Sequence, residues 1–121
     1  MAKTHQVRVA RVYDPPSGGA ARVLVDRLWP RGLTKEAAAL DEWCKRVAPS
    51  NELRHWYGHD PQRFDAFSAR YLEELREPER AEALDGLRAL CRRRDVTLLT
   101  ATTTPDISHA AVLARLLAGG G

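Results

Sequence analysis

Two short segments gather cations and indole rings where a hydrophobic core has no use for them: Arg27-Leu28-Trp29-Pro30-Arg31-Gly32 and Arg54-His55-Trp56-Tyr57-Gly58-His59-Asp60. A guanidinium group presents a planar fork of N–H donors that meets phosphate or carboxylate oxygens two at a time. Alternate residues of an extended loop share a face, so Arg27, Trp29 and Arg31 would set two guanidinium groups on either side of an indole. That trio would hold an oxyanion while the ring stacks on a base or another planar group. The competing reading puts Trp29 in the core and pairs Arg27 and Arg31 with Asp26, Asp41 or Asp60, which locks the loop and leaves no site.

Arg54, Trp56 and Asp60 complete the candidate ligand-binding set. Asp60 also reads as the cap of a helix opened by Pro61, and its charge there competes with any external anion. His59 is the candidate catalytic residue, because imidazole exchanges protons near neutrality and Asp60 or another carboxylate would orient it. A lone histidine just ahead of a helix is more often a hydrogen-bonded brace than a catalyst. A third element, the loop from Thr100 to Asp106, follows a strand and precedes a helix, where open α/β sheets bind ligands. It lacks the glycine pattern of a dinucleotide or Walker loop, and Thr104 or Asp106 can be an ordinary cap.

No metal and no cofactor are implied. His5, His55, His59 and His109 follow no recognisable ligand spacing, and Cys44 and Cys91 lack the close pairing of a zinc or redox site. Both cysteines read as small buried hydrophobes.

These residues need elements to position them. His5 to Tyr13 reads as a first strand ending at the turn-forming Asp14-Pro15-Pro16-Ser17-Gly18-Gly19. Val23-Leu24-Val25 forms a short strand or leads into the Pro30 and Gly32 loop. Thr34 caps a short helix over 35–39, and Leu40 to Ala48 reads as a second helical piece stopped by Pro49. Asp60-Pro61 opens a helix whose Phe64, Phe67, Tyr71 and Leu75 recur at three- and four-residue steps. Another runs from about Glu79 through Leu84, Leu87, Leu90 and Cys91 to the cations Arg92-Arg93-Arg94. Val96-Thr97-Leu98-Leu99-Thr100 has no solvent face, as in a central strand covered on both sides, and a last helix spans Ile107 to Ala118. The predicted fold class is α/β: a single small domain over 1–121, with a short, largely parallel sheet flanked by helices and a frayed tail at 119–121.

With 121 residues the chain encloses one core. No apolar run spans a bilayer and no signal peptide opens the sequence, so the expected location is cytoplasmic, with no membrane partner. The net charge of +3 rests on three lysines and sixteen arginines, a bias that GC-rich codons explain as a whole, so that only particular arginines argue for a site.

Tyr13-Asp14-Pro15-Pro16, the run from Val23 to Leu33, Asp41-Glu42-Trp43, the run from Ala48 to Arg54 and Gly58-His59-Asp60-Pro61 together resemble the YeaO-like branch of domain-of-unknown-function family 488. The resemblance covers nearly the whole chain and implies a compact bacterial cytoplasmic α/β domain. It carries no established activity. Where relatives tend to have an acidic stretch and then His-Asn before the last helix, this chain reads Thr104-Pro105-Asp106-Ile107-Ser108-His109, so Ile107 cannot perform a polar role there while Ser108 and His109 still can.

Three functions compete. The first is a binding domain or enzyme for an anionic small molecule, phosphorylated or nucleotide-like, held by Arg27, Arg31 and Arg54 with Trp29 or Trp56 stacking. The second is a nucleic-acid binder that adds Arg92, Arg93 and Arg94 as a phosphate-contacting surface. The third is an interaction module whose tryptophan segments form core or an oligomer interface.

Overall fold

The computed structural model describes residues 5–16 and 18–119. Its four strands form one sheet in the order β1-β4-β2-β3, with every neighbouring pair parallel: β1 Val7–Arg11, β2 Ala21–Leu24, β3 Glu42–Trp43 and β4 Val96–Thr100. As its composition predicts, β4 is central, with Val96, Leu98, Leu99 and Thr100 all buried. The α/β architecture expected from the sequence is the one observed.

Alternation along the strands divides the core. One face presents Val7, Val9, Ala21, Val23, Val96 and Leu98 to the helices. These are α2 (Asn51–Tyr57), α3 (Phe64–Glu74), α4 (Pro78–Arg93) and α5 (His109–Gly119). The other face presents Val12, Leu24 and Leu99, which are covered by Trp29, Leu33 and Leu40 from the long connection between β2 and β3 and by Trp43 of β3 itself. That connection contains a single helical turn, α1 (Lys35–Ala38), capped by Thr34, whose hydroxyl accepts from the Ala37 amide at 3.1 Å. Trp29 and Trp43 meet edge to face, with ring centroids 5.3 Å apart.

Among the described residues, no helix links the parallel strands β1 and β2. The chain crosses between them in an irregular segment fastened by Arg22, a buried cation whose guanidinium donates to the carbonyls of Ala38 (2.9 and 3.1 Å), Val12 (3.4 Å) and Asp14 (3.3 Å).

Two expectations need correcting, and one helix was not anticipated. Leu40 to Ala48 is not helical: Glu42–Trp43 pairs with the sheet edge at β2, and only Lys45–Val47 makes a 3-10 turn. Because Cys44 N–H bonds Leu24 O at 2.8 Å, the sheet and not local propensity sets this conformation. The second cation cluster is itself helical, as α2, started by Ser50, whose hydroxyl accepts from the Leu53 amide, and ended by Gly58 at φ +54. Asp60-Pro61 opens a 3-10 turn over Pro61–Arg63 before α3 begins at Phe64. Within α3, Phe64, Phe67 and Tyr71, together with Leu75 just beyond it, are buried at the predicted spacing. Gly119 closes α5, and the rest of the expected tail lies outside the described residues.

Cys44 is buried, which pushes its thiol up to about 11, and burial raises Cys91 as well. Neither is primed as a nucleophile.

Candidate functional site

At the carboxyl ends of β2 and β4 a cleft of about 800 Å³ opens between the loop 26–31, the loop after Thr100, α2 and the start of α5. Strand polarity explains its position, since in a parallel sheet the connections to following elements all leave from one edge and splay apart there.

Arg27 and Arg31 reach it from the loop after β2, and Arg54 and His55 from α2. All four side chains are exposed. The pairing that would have neutralised the arginines does not occur, because each candidate carboxylate is engaged elsewhere. Asp26 accepts from the Thr100 hydroxyl and the Ala101 amide, both at 2.8 Å. Asp41 accepts from the Arg22 amide at 2.8 Å and lies 4.0 Å from Arg94. Asp60 caps the Gln62 amide at 3.0 Å and faces Arg63 at 3.7 Å. Among the described residues, no ion pair involves Arg27, Arg31 or Arg54. Among the described residues, Asp26 is the one carboxylate lining the cleft.

Trp29 lines the cleft and also belongs to the core. Its indole N–H donates to Leu33 O at 2.7 Å, which fixes the ring and shapes the loop that carries Arg27 and Arg31. Tyr13 holds the same loop from outside by donating to Arg31 O at 3.1 Å. Trp56 and Asp60 are not brought to the cleft. Trp56 packs partly on the main core and is flanked by the guanidinium groups of Arg70 (4.0 Å) and Arg63 (5.3 Å), an arrangement that follows from the helical geometry of α2. His59 does line the cleft, exposed, in a left-handed conformation at φ +57.

The floor holds residues that the sequence motifs did not single out as a site. His109, the first residue of α5, places Nε2 at 2.9 Å from Val25 O and 3.4 Å from Asp26 Oδ1. A carbonyl only accepts, so Nε2 carries the hydrogen. Burial lowers the imidazole pKa, a trend opposed by Asp26 and the Val25 carbonyl and reinforced by Arg54 and His59, so the ring is neutral near pH 7. Its edge meets the Tyr71 ring at 6.0 Å. Beside it Tyr57 stacks on Phe67 at 4.2 Å and donates to Ile107 O at 2.6 Å. Burial, then the Asp60 charge, raises the Tyr57 phenol above its ordinary range. Only the departure at 104–109 hinted at His109, since its partners lie 84 positions away at Val25.

Among the described residues, no three His, Cys, Asp or Glu side chains come together as a metal-ligating group. No described helix is long and apolar enough to cross a membrane.

The site is thus an open hollow with three unpaired guanidinium groups at its rim, a neutral histidine at its floor, and Trp29, Pro30, Pro49 and Phe67 as apolar wall. Comparison with known proteins finds similar chains that are themselves described as uncharacterized. Uncharacterized proteins of Mycobacterium tuberculosis and Mycobacterium bovis are 53% identical over 122 residues, covering 98% of this chain and 99% of theirs. The uncharacterized protein YeaO of Escherichia coli is 39% identical over 114 residues, covering 92% and 96%. No solved structure matches. A family model described as the inactive DUF488-N3 subclade matches residues 6–119, and the chain accordingly belongs to the YeaO-like DUF488 family.

Proposed function

We propose that this protein is a cytoplasmic binding domain for a phosphorylated small molecule or nucleotide, held in the cleft at the carboxyl ends of β2 and β4. One observation carries the reading: Arg27, Arg31 and Arg54 converge on one hollow with no carboxylate partner among the described residues, while Asp26, Asp41 and Asp60, the carboxylates placed to neutralise them, are engaged by other groups. Unpaired guanidinium groups at a partly apolar cleft favour a ligand that joins an anion to a less polar body. Trp29 shapes the binding loop, and its half-buried ring lines the cleft within reach of a stacking ligand.

Binding is favoured over catalysis. His59 is exposed and has no carboxylate partner among the described residues, and the subclade is described as inactive. A nucleic-acid surface is less favoured, because Arg92, Arg93 and Arg94 end α4 beside the amino end of β4, across the sheet from the cleft. The test is thermal unfolding with sugar phosphates and nucleotides present. Stabilisation that Arg27→Ala and Arg31→Ala each abolish supports the reading, and stabilisation that both variants retain overturns it.

A further inference from the structure

The histidine on the cleft floor has one nitrogen committed and one free. Nε2 donates to Val25 O and lies beside Asp26, whose two oxygens are already fixed by Thr100 and Ala101. The imidazole therefore cannot turn over without giving up the Val25 bond and setting an unprotonated nitrogen against a carbonyl. Among the described residues Nδ1 has no hydrogen-bond partner, and because no unsatisfied side-chain nitrogen or oxygen is sealed in the interior, Nδ1 keeps an exposed edge on a residue that lines the cleft. With the hydrogen on Nε2, Nδ1 is an acceptor and nothing else. Such an acceptor is out of place if the cleft receives only bare oxyanions, which bring lone pairs and no hydrogen at neutral pH.

We propose that His109 Nδ1 accepts a hydrogen bond from the ligand, so that the cleft selects a phosphorylated molecule with a hydroxyl or N–H near its phosphate, as in a sugar phosphate, over one without. This rests on the anion-binding reading above and names the ligand class within it. Asp26 and Val25 act as positioning groups that hold the tautomer, while Arg54 and His59 favour its neutral form and the Tyr71 ring packs against it.

The experiment compares ribose 5-phosphate with butyl phosphate by calorimetry, on the wild-type chain and on His109→Leu. The wild type is expected to prefer the hydroxylated compound about fivefold to tenfold, the worth of one hydrogen bond, and His109→Leu is expected to lose that preference. Equal wild-type affinities, or a preference that survives in His109→Leu, overturn the proposal and leave the anion site standing. Failure of both compounds to bind overturns both. Nitrogen NMR of the wild-type imidazole gives an answer even if His109→Leu does not fold: ribose 5-phosphate should shift the unprotonated Nδ1 signal and butyl phosphate should not, and identical responses to the two compounds count against the proposal.

Discussion

Asp26 and Thr100 lie 74 positions apart, yet the Thr100 hydroxyl donates to Asp26 Oδ1 at 2.8 Å, tying the carboxyl end of β2 to that of β4. The Ala101 amide donates to the other oxygen, so both strands end on one side chain that only accepts. Asp26→Asn puts an amide where a donor must be received. Urea unfolding should show a loss of about 1–3 kcal/mol, and an unchanged midpoint would mean that these bonds do not tie the strand ends.

His109 predicts how stability depends on pH. Its native pKa is lowered, chiefly by burial, so between the native and ordinary values the unfolded chain binds a proton that the folded chain refuses. The contribution is complete above the ordinary imidazole value of 6.5, declines as pH falls below it, and levels off beneath the native value. Denaturant midpoints measured from about pH 5 to pH 8 should trace this decline, and His109→Leu should flatten it.

The two arginine-bearing segments should respond differently to truncation. Arg54→Ala, like the two loop variants, removes a charged donor from the cleft and should weaken binding of a phosphorylated ligand about tenfold to a hundredfold in calorimetry. Trp56→Ala should leave that affinity unchanged and lower stability instead, because its ring is spent on the core and on Arg70.

His59 occupies a left-handed conformation immediately after the left-handed Gly58. A side chain with Cβ is costly there, so His59→Gly should hold stability or raise it by up to about 1 kcal/mol despite the freer unfolded chain. If thermal unfolding shows a marked loss instead, the imidazole is bracing the fold.

Arg22→Met should cost about 2–4 kcal/mol in denaturant unfolding, since it strips donors from three carbonyls at once. A variant as stable as wild type would show that those carbonyls find water without penalty.

Most of the fold was legible because its signals are local. The apolar run at Val96–Thr100 marked the central strand, and the spacing of Phe64, Phe67 and Tyr71 marked α3. What failed was decided by distant partners or by brevity. β3 has two paired residues, too few for any alternation, and α2 has seven, about two turns, in which the cations looked like a motif instead of a helix. Of the candidate site, Arg27, Trp29, Arg31, Arg54 and His59 share the cleft, while Trp56 and Asp60 do not. The Asp26–His109 pairing was invisible because nothing in either neighbourhood signals that β2 and α5 converge.

The clamp on the crossover between β1 and β2 answers to a different chemistry from the cleft floor. Arg22 is neutralised by peptide dipoles, so mild acid finds no carboxylate to discharge in its guanidinium contacts, whereas it recharges the imidazole beneath the cleft. Acidification should therefore loosen this molecule unevenly, opening the hollow first and leaving the strand crossing fastened.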